Sequence, residues 1–152
     1  MIRVQREDFD PGAELAKLTK GRHDIGGVVS FVGLVRDMAD GAKIGAMTLE
    51  HYPGMTEKQL AAIEAEANKR WPLSASLIIH RYGRLEPGDR IVLVITASPH
   101  RDAAFDACRF LIDWLKTKAP FWKLEDTEHG AKWVDADAKD DAAAARWVKT
   151  TD

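Results

Sequence analysis

Five positions in this chain carry side chains suited to a small anionic substrate: Arg36, His100, Arg101, Lys116 and Lys123. Lys123 lies in Ala119-Pro120-Phe121-Trp122-Lys123-Leu124-Glu125, a lysine among large apolar residues in a strand-like segment. Such a lysine either snorkels its amine to water or keeps it desolvated, which lowers its proton affinity and suits it to act as nucleophile or base. Lys116 falls near the end of a helical segment, where a cation is favoured by the helix dipole whatever else it does. Arg109, seven residues earlier, shares its face. His100-Arg101 stands where a strand gives way to a helix, and the free N–H groups of a first helical turn attract anions. A neighbouring Arg would add charge-assisted bonds to phosphate; the plainer alternative is an exposed Arg101 and a capping His100. Arg36 follows an apolar β-rich run and precedes a glycine-containing loop, and it fits the same anion-binding description.

The only cysteine, Cys108, could be a redox or persulfide group. Its neighbours argue otherwise. Ala104, Cys108, Leu111 and Leu115 recur at i, i+4, i+7 and i+11, a single helical stripe, so Cys108 reads as a small buried hydrophobe.

The elements that must position these groups follow from local signals. Ile2 to Gln5 reads as a strand, and Asp10-Pro11 as the cap and first residue of a helix reaching about Lys20. Val28 to Val35 is a continuous β-rich run. A polar loop from Arg36 to Lys43, with Asp40-Gly41 as its turn, leads to a strand over Ile44 to Tyr52, and the two strands are expected to pair as a hairpin. Thr56-x-x-Gln59 reads as a capping box for a helix to Arg70. Strands over Ala75 to Tyr82 and Arg90 to Ala97 flank the turn Glu86-Pro87-Gly88-Asp89. A helix from about Arg101 to Lys118 is stopped by Pro120. Phe121 to Glu125 and Lys132 to Asp135 read as short strands, and Asp140 to Val148 as a closing helix. The sum is an α+β domain, residues 1–152, with mostly antiparallel strands.

Composition removes several function classes. The chain has 152 residues, 45% hydrophobic and 30% charged, with a net charge of −2. That balance does not favour nucleic acid or anionic membrane. The longest run that is apolar but for one threonine, Ile91 to Ala97, is too short to span a bilayer, and the N-terminus has no signal-like stretch. One cysteine permits no internal disulfide and suits a reducing cytoplasm. There is no phosphate-binding glycine loop, no nucleophile elbow and no pair of His or Cys at metal-ligand spacing. Charge is uneven: five Lys/Arg against three Asp from His100 to Lys123, then eight acidic against four basic residues from Leu124 onward. An anion is therefore best accommodated in the first of these stretches.

Six blocks in order resemble the large subunit of molybdopterin synthase. They are Phe31-Val32-Gly33-Leu34-Val35-Arg36, Leu49 to Met55, Ile79 to Leu85, Ser98-Pro99-His100-Arg101-Asp102-Ala103-Ala104-Phe105, Leu115 to Lys123 and Trp133-Val134. The resemblance implies an α/β-hammerhead fold with a small additional β subdomain and a central homodimer. It also implies a small ubiquitin-like partner on each protomer, giving a heterotetramer. The partner's C-terminal Gly-Gly thiocarboxylate would deliver two dithiolene sulfurs to cyclic pyranopterin monophosphate, making molybdopterin in molybdenum cofactor biosynthesis. Lys116 and Lys123 would be the catalytic lysines, also contacting substrate, and Arg36, His100 and Arg101 would bind the substrate's phosphate and pterin. No cofactor or metal is implied. The chain departs from the pattern at Leu124, where a second basic residue is common, at Pro99, and in a tail carrying Asp135 and Asp137. The competing readings are a non-catalytic module binding a partner or small anion on the same scaffold, and a Schiff-base lysine enzyme.

Overall fold

The computed structural model describes residues 1–39, 42–127, 130–134 and 138–148. In chain order these form β1 (Ile2–Gln5), α1 (Pro11–Thr19), β2 (Gly27–Leu34), β3 (Met38–Ala39), β4 (Ala42–His51), α2 (Met55–Arg70), β5 (Ala75–Arg81), β6 (Gly83–Leu85), β7 (Arg90–Ser98), α3 (Arg101–Thr117), β8 (Phe121–Thr127), β9 (Gly130–Val134) and α4 (Ala138–Ala145). The fold is α+β, and β1–β5 is the one parallel pair among the described residues. Among them, no helix is long and apolar enough to cross a membrane.

A four-stranded sheet in the order β1-β5-β7-β2 is covered on both faces. Side chains of a strand alternate between faces, so Val92 and Val94 of β7 meet Cys108, Phe110 and Leu111 of α3. Leu93 and Ile95 point the other way and pack with Leu77, Ile79, Phe9 and the α1 residues Leu15 and Leu18. That double burial explains the unbroken apolar character of β7. At the start of α1 the Asp10 carboxylate accepts a hydrogen bond from the Ala13 N–H at 3.1 Å, and Pro11 occupies the first turn, as expected.

The second sheet has β4 at its centre, paired with β3, β6 and β8, and β9 lies beyond β8. The chain crosses into it after Tyr82, where Gly83 takes φ +92°. An L side chain rarely adopts that angle, and a Cβ there would stand 3.2 Å from Arg6 Nη1.

Two expectations are corrected. The strand after Gly27 does not pair with β4: β2 lies antiparallel to β7, Gly27 opposite Ser98, while β4 belongs to the other sheet. The loop between them contains β3, which pairs with β4; the expected turn at Asp40-Gly41 lies outside the described residues. The cap of α2 is Gly54, whose N–H donates to Glu57 Oε2 at 2.6 Å. Thr56 is fully buried instead. Its hydroxyl accepts from the Tyr52 N–H at 3.1 Å and donates to the Pro120 carbonyl at 3.4 Å, tying the start of α2 to the turn between α3 and β8.

Candidate active site

Helix α3 determines where Lys116 goes. The Thr96 hydroxyl donates to the Ala104 carbonyl at 2.6 Å, so the helix starts beside the end of β7 and runs back along it. Fifteen residue steps along it carry Lys116 roughly 22 Å from Arg101. Ala104, Cys108 and Leu111 are buried, with Leu115 half-buried, as the stripe predicts. Lys116 thus arrives, exposed, at the end of the sheet where His80 of β5 lies opposite Val92.

His80 shares the α3-facing side of β5 with Ile78 and is only 7% exposed. Its ring is stacked on Phe121 of β8, centroids 3.8 Å apart and planes 16° apart. Nδ1 lies 2.8 Å from the Arg81 carbonyl, which can only accept, so Nδ1 carries the proton and Nε2 is left as an acceptor. Burial lowers the pKa of His80 to about 4 despite that carbonyl, and the charges of Lys116 and His51 add to the lowering. His51, opposite Phe121 in the β4–β8 ladder, sits 4.3 Å from the Tyr82 ring and 6.2 Å from Phe121. Its Nδ1 is buried with no hydrogen-bond partner among the described residues.

Strand alternation settles the setting of Lys123. Phe121, Lys123 and Glu125 share one face with His51, Leu49 and Met47, their partners on β4. Trp122 lies on the opposite face, edge-on to Tyr52 at 4.2 Å. The apolar residues adjacent in sequence therefore do not cage the amine. Lys123 Nζ lies 3.2 Å from Oε1 of buried Glu125, with its side chain 40% exposed. Arg109, the expected cationic neighbour of Lys116, is ion-paired with Asp113 at 3.5 Å.

The anion-binding candidates separate into two groups. Arg36, just past β2, lines an open cavity of about 490 Å³ with Val35, Asp37, Pro87 and Gly88. It lies at the same end of the sheet as His80 and Lys116. His100 is the N-cap of α3 and Arg101 its first residue, both exposed, and the His100 side chain makes no capping bond. They stand at the Gly27–Ser98 end of the β2–β7 ladder, where Gly26 lies so close to Pro99 that a Cβ would come within 2.0 Å of its carbonyl oxygen. The seven residue steps of β2 separate the two groups by roughly 25 Å. Within one chain, the structure brings Arg36 to the lysine end and leaves His100 and Arg101 at the other.

His51, His80 and Phe121 at the lysine end were not singled out from sequence. They lie within the blocks that carry the resemblance, but their stack depends on β5, β4 and β8 meeting, which no local pattern encodes.

Cys108 is buried, and burial raises its pKa to about 11, so the thiol is protonated and shielded at neutral pH. Cys108→Ala is expected to leave activity unchanged and to cost about 1 kcal/mol of stability, the scale of a small core truncation. Parallel assays and denaturant titrations check both; loss of activity in the folded variant would assign the thiol a role in chemistry.

Comparison with known proteins places this geometry in context. The MoaE protein family matches residues 4–118. The chain is 60% identical over 146 residues to the molybdopterin synthase catalytic subunit of Pseudomonas aeruginosa, covering 96% of this chain and 97% of that one. It is 58% identical over 151 residues to the subunit of the same name from Ralstonia nicotianae, covering 99% and 86%. Among solved structures, the molybdopterin biosynthesis MoaE protein of Burkholderia ambifaria superposes with a TM-score of 0.82 at 54% identity, covering 97% of each chain. The molybdopterin synthase of Staphylococcus aureus does so with 0.80 at 35% identity, covering 87% of this chain and 95% of that one.

Proposed function

The chain belongs to the MoaE family, and from that premise we propose that it is the catalytic subunit of a molybdopterin synthase, working in the cytoplasm as a single domain. The observation that carries this reading is the near-full-length identity to catalytic subunits of that enzyme. In the proposed reaction a small ubiquitin-like partner inserts its C-terminal Gly-Gly thiocarboxylate at the lysine end of the first sheet. Its sulfur is transferred to cyclic pyranopterin monophosphate, and two transfers make the dithiolene. Two features support the external sulfur source and its docking point. Cys108 is buried and protonated. Lys116 and Lys123 flank the His80–Phe121 stack, so a chain end that is itself anionic meets two amines. Lys123, paired with Glu125 at 3.2 Å, is placed to anchor that end.

The direct test mixes the purified chain with thiocarboxylated partner and the pterin monophosphate and assays dithiolene formation. Product supports the reading. Partner binding without product would make the chain a binding module instead.

The phosphate site proposed at Arg36, His100 and Arg101 needs a second copy of the chain. Groups roughly 25 Å apart cannot grip one phosphate, so in the proposed homodimer Arg36 of one copy and His100-Arg101 of the other share a site. Arg101→Ala is expected to weaken pterin binding by about 1.5–3 kcal/mol, the range for a hydrogen bond to a charged group, with a smaller effect for His100→Ala. Mixing Arg36→Ala and Arg101→Ala chains through unfolding and refolding should return roughly a quarter of the sites to full strength, because each mixed dimer pools both lesions in one site. No recovery over either variant alone would refute the shared site.

A further inference from the structure

The His80–Phe121 stack is placed to do more than fill space. His80 is held on three sides: by Val4 and Val92, its neighbours on β1 and β7, and by the face of Phe121. One ring edge is committed to the Arg81 carbonyl. The other edge belongs to a nitrogen that can accept but not donate. The charges of Lys116, from α3, and of His51, from β4, act on the ring. On β8, the Lys123–Glu125 ion pair follows Phe121 on the same strand face. On β1 and β7, the ladder neighbours are uncharged.

We propose that His80 is a positioning residue of the lysine site, its fixed ring offering Nε2 as the acceptor that sets where the Lys116 amine rests. This rests on the reading of the lysines as the reacting centre. The imidazole suits the task because it cannot compete for the incoming anion. Protonated, it would be a third cation beside Lys116 and Lys123 and would draw a carboxylate or thiocarboxylate away from them. Burial lowers its pKa to about 4, so the ring is neutral at neutral pH. Phe121 then acts as the spacer, because it touches His80 and stands two residues before Lys123. One stack thereby relates an amine on a helix to an amine on a strand of the other sheet.

The test contrasts His80→Gln, which keeps an acceptor near the Nε2 position, with His80→Phe, which keeps a stacking ring and removes it. With wild-type partner and pterin, His80→Phe is expected to lower kcat about ten- to a hundredfold, the range for losing a hydrogen bond to a charged group. KM should change little, and His80→Gln should recover most of the loss. Independently of turnover, trace acetylation across pH, read at Lys116 by peptide mass spectrometry, follows the protonation of that amine. Losing an acceptor that favours the ammonium form should move the Lys116 midpoint about one pH unit lower in His80→Phe, a tenfold change in proton affinity, and leave it in place in His80→Gln. If His80→Phe does not fold, His80→Leu carries the same contrast. An unmoved Lys116 midpoint in the acceptor-less variant, or equal movement in both, overturns the proposal. Absence of dithiolene product with the wild-type chain would instead overturn the reading of the protein as a synthase, and the acetylation result would still decide the role of His80.

Discussion

Alanine at Lys116 or at Lys123 is expected to reduce turnover by about a hundredfold or more, the scale on which positioned acid–base and charge-stabilising groups act. The two substitutions should differ in kind. Lys116 stands exposed at the end of α3, beside a histidine whose basicity its charge depresses, so its loss should fall mainly on kcat. Lys123 is ion-paired with Glu125, which is itself buried. Removing the lysine takes an ion-pair partner from a buried carboxylate, so Lys123→Ala should also lower thermal stability, and Lys123→Ala/Glu125→Gln should restore stability without restoring turnover. Single-turnover assays with thiocarboxylated partner, beside calorimetric melts of the same proteins, separate the two effects. Partner binding should survive in each variant. Near wild-type rates in both single variants would remove the lysines from the proposed site while leaving the family assignment untouched.

Acid should destabilise the fold through His80 before it does so through any described carboxylate whose pKa is shifted. The folded-state pKa of about 4 lies below the ordinary 6.5, so between those values the unfolded chain binds the proton that the native state refuses. Stability should therefore be full above pH 6.5 and fall as pH drops toward 4, by about 3 kcal/mol in total, following the linkage between pKa shift and stability. The described carboxylates held low, Asp8 by Arg90 and Asp24 by Arg22, stabilise the fold above the ordinary carboxylate pKa and lose that contribution only at more acid pH. Urea titrations between pH 4 and 7 measure the slope, and His80→Phe, which has nothing to titrate, should flatten it. An equally steep fall in that variant would place the acid sensitivity elsewhere.

What the sequence determined by itself was whatever depends on neighbours a few residues away. The Asp10 cap, the Glu86–Asp89 turn, the buried stripe of α3 and the burial of Cys108 within it all rest on short-range spacing, and the structure bears each out. The ordered blocks of resemblance likewise pointed to the family and fold. Tertiary structure alone decided the rest. An adjacent pairing of β2 with β4 lost to the pairing of β2 with β7, where Val29 and Phe31 of β2 pack on the α3 side of the sheet and Val28 and Val32 on the α1 side, while β4 pairs with β6 and β8 in the other sheet. Lys123 stands between Trp122 and Leu124 in sequence, yet it pairs with Glu125 on its own face, since a strand sends adjacent side chains to opposite sides. Arg36 and Arg101 each look like half of one anion site in the sequence, but an eight-residue strand keeps them apart. His80 acquires its acid-resistant neutrality only when α3 and β8 close over it, because desolvation is a property of what packs around a ring and not of the residues beside it in the chain.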